Sequence, residues 1–123
     1  MSNHTEIKWL SEFEDKDYPA AASFLNLLYD ATAVKGLVKK LKKVKPAQFK
    51  AKDIFRASGL SLLGVSNSHV EKDRKKIEAG EELSPILLVR DENNRKVIIA
   101  DGYHRMCAVY SFNEDACIPC KIV

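Results

Sequence analysis

Residues Asp101-Gly102-Tyr103-His104-Arg105 hold the densest concentration of potential chemistry in the chain. They follow the β-branched apolar run Val97-Ile98-Ile99-Ala100 and precede the helix-compatible segment Met106-Cys107-Ala108. A strand, a glycine turn and a helix start, in that order, present free backbone N–H groups to an anion. Gly102 has no Cβ to keep a phosphate away, and Arg105 offers a planar fork matched to phosphate oxygens. His104, with an ordinary pKa of about 6.5, is suited to donate to a phosphate or to carry a proton. The candidate catalytic residues are therefore His104 and Asp101, and the candidate ligand contacts at this turn are Gly102, Tyr103 and Arg105. Ser66-Asn67-Ser68-His69 stands ahead of another helix and supplies a possible facing wall, adding Ser68, His69 and, one turn further in, Lys72.

Each of these residues also has a plainer reading. Gly102 serves equally as a turn glycine with positive φ. Arg105 has a carboxylate four residues away in Asp101, and Asp101 is itself a natural helix N-cap. His104 fits a capping or packing position, Ser66 to Ser68 a simple capping sequence, and Lys72 a solvated charge.

The elements that must position this turn are legible as periodicities. Asp17 is placed to cap a helix with Pro19 in its first turn, and Ala21, Phe24, Leu25 and Leu28 recur at helical spacing to near Asp30. Thr32 is placed to cap a second helix with the apolar stripe Val34, Leu37, Val38 and Leu41, ending near Pro46. The two helices are expected to lie antiparallel, as a hairpin. A short helix over Ala51–Ser58 stops at Gly59. Beyond it the pattern reads helix (from Asn67 or Ser68 to Ala79), strand (Ile86–Val89), strand (Lys96–Ala100), helix (Tyr103–Phe112) and strand (Cys117–Val123). The expected fold class is α/β (α+β): a small mixed sheet with helices over residues 60–123, preceded by a helical segment over 1–59 that packs on it.

The 123 residues suit one compact unit, with an ordinary apolar fraction of 46% and charged fraction of 30%. No apolar run approaches the roughly 20 residues of a membrane span. The first residues lack the basic-then-apolar layout of a secretory signal, so a cytoplasmic protein without a membrane partner is expected. Three cysteines form no disulfide framework. Cys117-Ile118-Pro119-Cys120 has redox-pair spacing, but no helix follows to lower a thiol pKa, and strand residues three apart face opposite ways. Neither a second Cys-x-x-Cys nor a His pair is present to suggest zinc, and no cluster of carboxylates suggests a two-metal nuclease. The net charge of +3 conceals a block: residues 35–56 carry nine basic residues against Asp53 alone. That block reads first as a solvated amphipathic face, and second as a surface attracting nucleic acid or an acidic partner.

Taken together, several pieces of residues 68–123 resemble the ParB/sulfiredoxin-like fold. The pieces are Leu83-Ser84-Pro85-Ile86-Leu87-Leu88-Val89, Ile99-Ala100-Asp101-Gly102-Tyr103-His104-Arg105, Ala108 and Ile118-Pro119. The turn shares Gly102, His104 and Arg105 with the Gly-Cys-His-Arg of sulfiredoxins, but Tyr103 stands where their essential cysteine does, so sulfiredoxin chemistry is not expected. It shares Gly102 and Arg105 with the Gly-Glu-Arg-Arg of ParB proteins, which bind CTP. It looks closest to the Asp-Gly-His-Thr-Arg of free serine kinases of this fold. The resemblance implies binding of a nucleotide such as ATP or CTP with Mg²⁺, and phosphoryl transfer or nucleotide hydrolysis as the reaction class. The competing expectation is a noncatalytic accessory module that docks an acidic partner or nucleic acid through its lysine-rich helix.

Overall fold

The apolar run Ile86-Leu87-Leu88-Val89 makes the strand around which the molecule is built. The computed structural model describes residues 6–64 and 66–123. In chain order they form β1 (Lys8–Trp9), α1 (Asp17–Leu25), α2 (Ala31–Lys43), β2 (Ala47–Lys50), α3 (Ala51–Ser58), α4 (Ser68–Glu78), β3 (Glu82–Leu83), β4 (Ile86–Asp91), β5 (Lys96–Asp101), α5 (Tyr103–Phe112) and β6 (Cys117–Ile122). The class is mixed α/β. A four-stranded sheet has the order β2-β6-β4-β5, with β4 parallel to β6 and the other two pairs antiparallel. A parallel two-stranded ribbon joins β1 to β3.

Strand side chains alternate between faces, and β4 uses both. Ile86 and Leu88 enter a core with α3, α4 and α5, beside Ile54, Val70, Ile77, Met106 and Val109. Leu87 and Val89 enter a second core with α1 and α2, beside Ala21, Leu25, Val34 and Leu41. All four strand residues are at most 2% exposed. Covering on both faces explains why this strand is continuously apolar instead of alternating.

Several details differ from the expectations. Asp17 does not cap α1: the N-cap is Lys16, without a side-chain cap, and the Asp17 carboxylate instead accepts from the Glu14 N–H. Residues 47–50, read with a helical N-terminal half, form β2; Phe49 packs on the core while Gln48 and Lys50 face out, and four residues after a proline carry too little alternation to be read alone. The short pair β1 and β3 was likewise not expected. Finally, α1 stops at Leu25 and not near Asp30, and the N-cap of α2 is Asp30 and not Thr32. Asp30 takes an extended backbone and its carboxylate accepts from the Ala33 N–H at 2.8 Å, so the chain must leave the helix before it. Leu28 consequently loses its place on the apolar face and is 51% exposed.

The cysteines are as the strand geometry requires. Cys117 is exposed and Cys120 is buried, and all three thiols are free. Burial pushes the Cys120 thiol up to about 12, which removes it as a nucleophile near neutral pH. No helix among the described residues is long and apolar enough to cross a membrane.

The capping assignment is directly testable. Asp30→Ala is expected to lower unfolding free energy by about 1 kcal/mol, and Thr32→Ala to change it by less than about 0.5 kcal/mol, measured by urea denaturation. Equal losses would return the cap to Thr32.

Candidate functional site

The turn between β5 and α5 is fixed by packing as much as by any ligand. Gly102 has φ 110°, a left-handed conformation that disfavours side chains. A Cβ there would lie 2.7 Å from Ile86 Cγ1 and 3.0 Å from Arg105 Nη2, so the glycine is required by its neighbours. Just before it, the pairing of β4 with β5 jumps from Leu88–Ile99 to Leu87–Asp101, leaving Ala100 as an extra residue. Such a bulge re-aims the side chains after it, and the one after it is Asp101.

Arg105 closes this turn onto itself. Its Nη2 donates to Asp101 Oδ2 at 3.0 Å and to the Pro85 carbonyl at 3.1 Å. Its Nε is buried and has no partner among the described residues. Asp101 is thus the holder of Arg105; no side chain caps α5, so the N-cap reading of Asp101 is not realised. Burial pushes the Asp101 carboxyl up, against the pull of the Arg105 guanidinium, and the nearby Asp17 carboxyl on α1 adds to the upward shift.

A cleft of about 200 Å³ opens beside this turn. The turn contributes Asp101, Gly102, Tyr103, His104 and Arg105, and α4 contributes His69, Lys72, Asp73 and Lys76 from the facing side. Seven of the eight residues singled out from sequence therefore line one hollow. Ser68 does not line it. The start of α4 also differs from the start of α5: Asn67 Oδ1 accepts from the His69 and Val70 N–H groups at 3.0 and 3.2 Å. The first amides of α4 are therefore occupied by the protein's own side chain, and this wall acts through His69 and Lys72, not through its backbone. The first-turn amides of α5 carry no side-chain cap.

Asp73 and Lys76 escaped the sequence reading. The available signal was spacing, since Lys76 stands four residues from Lys72 and shares its helix face. Asp17 carried only a helix-capping signal and none for this site, because only the tertiary fold brings α1 to the end of β5. The α4 wall is held against α5 by Arg74, which donates to the Ser111 hydroxyl and stacks 4.3 Å from the Phe112 ring centroid.

The imidazoles of His69 and His104 face each other with ring centroids 4.8 Å apart, and the Tyr103 ring lies 5.6 Å from that of His104. Burial lowers the His104 pKa, repulsion from His69 and Arg105 adds to the effect, and Asp73 opposes it. His104 is therefore neutral at pH 7, with one ring nitrogen to donate and one to accept. Burial raises the Tyr103 pKa, and its hydroxyl donates to the Ser61 carbonyl, so it stays a phenol. Counting Lys72, Lys76 and Arg105 against Asp73 and Asp101, the cleft carries a small excess of positive charge. Among the described residues, no group of three or more His, Cys, Asp or Glu is arranged to hold a metal ion.

No family model matches the chain, and neither a curated protein nor a solved structure does.

The lowered His104 pKa makes stability depend on pH. Because the fold holds this imidazole below its ordinary 6.5, the unfolded chain takes up a proton first on acidification. Its contribution to stability is whole above that value and is lost as pH falls through the lower folded-state pKa. Two-dimensional NMR across pH 4–8 (a span of about four units around the reference value) should show His104 titrating below 6.5, and His69→Ala should move it upward. An unmoved His104 in that variant would remove the imidazole pair from the electrostatics.

Proposed function

We propose that the cleft at Asp101–Arg105 binds the phosphate groups of a nucleotide or another phosphorylated small molecule. The observation that carries this reading is the meeting of three anion-favouring features in one hollow: an α5 start without a side-chain cap, Arg105, and the pair Lys72 and Lys76 on the opposite wall. The likeness of Asp-Gly-Tyr-His-Arg to the phosphate-facing turns of ParB/sulfiredoxin-like proteins supports the same reading, as does the order helix, strand, strand, helix, strand from residue 68 onward.

Size narrows the ligand contact. Pockets that enclose a whole small molecule run to roughly 300–1,000 Å³. At about 200 Å³ the cleft seats phosphates, leaving a base or sugar to lie across its mouth. Mg²⁺ would accompany the phosphates, with Asp73 as the one cleft carboxylate not already paired to Arg105. Phosphoryl transfer or nucleotide hydrolysis is the proposed reaction class. In it His104, neutral and partly exposed, accepts a proton from an attacking hydroxyl or water, Arg105 and the lysines neutralise the phosphate oxygens, and Asp101 keeps the guanidinium in place.

Calorimetric titration of the protein with ATP, CTP and ADP, each with Mg²⁺, tests the reading. Saturable binding is expected, weakened at least about tenfold in the Lys72→Ala/Lys76→Ala double variant, the equivalent of roughly 1.4 kcal/mol. Lys72 is exposed and Lys76 half-buried, and neither makes an ion pair among the described residues, so thermal melting of the variant checks that its fold is kept. No heat with any of the three, or wild-type affinity in the double variant, would overturn it.

A further inference from the structure

A second concavity lies on the other side of the sheet, and its lining has a different chemistry. Between α1 and α2 runs a groove of about 380 Å³ with an apolar floor of Ala22, Ala31, Val34 and Val38. Lys35, Lys39 and Lys42 form its rim, at spacings of four and three residues that align them along one ridge of α2. All three are exposed, and among the described residues no carboxylate lies within ion-pair distance of any of them. In the turn that joins the two helices, Leu27 is 82% exposed and Leu28 51%.

We propose that this groove receives an amphipathic helix of a partner protein with acidic residues flanking its apolar face. The charge of the rim selects that occupant. Three like charges on one ridge repel each other and are relieved by carboxylates placed opposite. An apolar floor rewards burial of leucine-type side chains at i, i+3 or i+4, and i+7, the pattern by which helices dock in grooves. The lysine ridge spans about 10 Å, two turns of a partner helix. Nucleic acid is less well served: the groove offers no arginine and no aromatic ring for a base to stack on, and phosphates gain nothing from its floor. A flat lipid surface would leave a concave floor uncovered. The groove shares no residue with the cleft at Asp101–Arg105.

The test uses the full chain, ¹⁵N-labelled, and a synthetic peptide carrying leucines at helical spacing flanked by glutamates. A scrambled peptide of the same composition, a DNA duplex and phosphatidylserine vesicles are the comparison arms. The helical peptide is expected to shift the amides of Ala22, Val34 and Val38 saturably, and the Lys35→Glu/Lys39→Glu/Lys42→Glu variant to weaken it at least about tenfold. Because the three lysines are exposed, circular dichroism melting should confirm that the variant folds. Absence of those shifts, equal binding of the scrambled peptide, or tighter lysine-dependent binding of the duplex or vesicles would each overturn the proposal.

Discussion

The contact of Gly102 with Ile86, closed by Arg105 reaching back to Asp101 and Pro85, is the constraint on which the candidate site depends. It joins the last strand residue of β5, the first of β4 and the first turn of α5 at one point. An L-residue at Gly102 would need both an unfavourable φ and space that Ile86 already fills. The helix start is therefore aimed by the packed sheet and not by a mobile loop. Arg105, 18% exposed, is preset by Asp101 and Pro85 rather than freely rotating; under the proposed function, that presetting lowers the entropy an anion's arrival would cost. Its unpartnered buried Nε is the one polar defect of this kind among the described residues, and leaving such a group unsatisfied costs about 1–3 kcal/mol.

The layering gives the two faces of the sheet different chemistry. On one face, α4 and α5 converge at their N-terminal ends, and the hollow between them gathers imidazoles, lysines and the arginine. On the other, α1 and α2 bury Leu25 and Leu41 against Leu87 and Val89 while turning a lysine ridge outward. α1 also links the faces: Asp17, 3% exposed and accepting from the Glu14 N–H at 3.0 Å, sits close enough to Asp101 to raise its pKa. A proton near that pair is favoured by burial and opposed by Arg105, so the charge of the turn is set partly by the N-terminal helix.

Much of this arrangement was readable in the residues, for identifiable reasons. Glycine followed by His and Arg after a β-branched run marked the β5–α5 turn. Asn67, offered with Ser68 as the cap of α4, is the residue whose carboxamide does it. The apolar run at β4 announced a strand covered on both faces. What stayed hidden depended on tertiary context. β2 is four residues long and earns its place by pairing with β6; Asp30 outcompeted Thr32 because the chain had already turned at Leu25. The Asp17–Asp101 approach and the occupation of the α4 amides by Asn67 concern which partner arrives first, and spacing along the chain carries no record of that.

The backbone N–H groups of Tyr103, His104 and Arg105, without side-chain caps among the described residues, border a hollow with a small excess of positive charge. Titrating the ¹⁵N-labelled protein with inorganic pyrophosphate, and following those three amides, tests the proposed phosphate binding most directly. Large saturable shifts at these amides are expected, accompanied by smaller ones at Lys72 and Lys76. Shifts confined to the α2 lysine ridge, with the three amides unmoved, would contradict it.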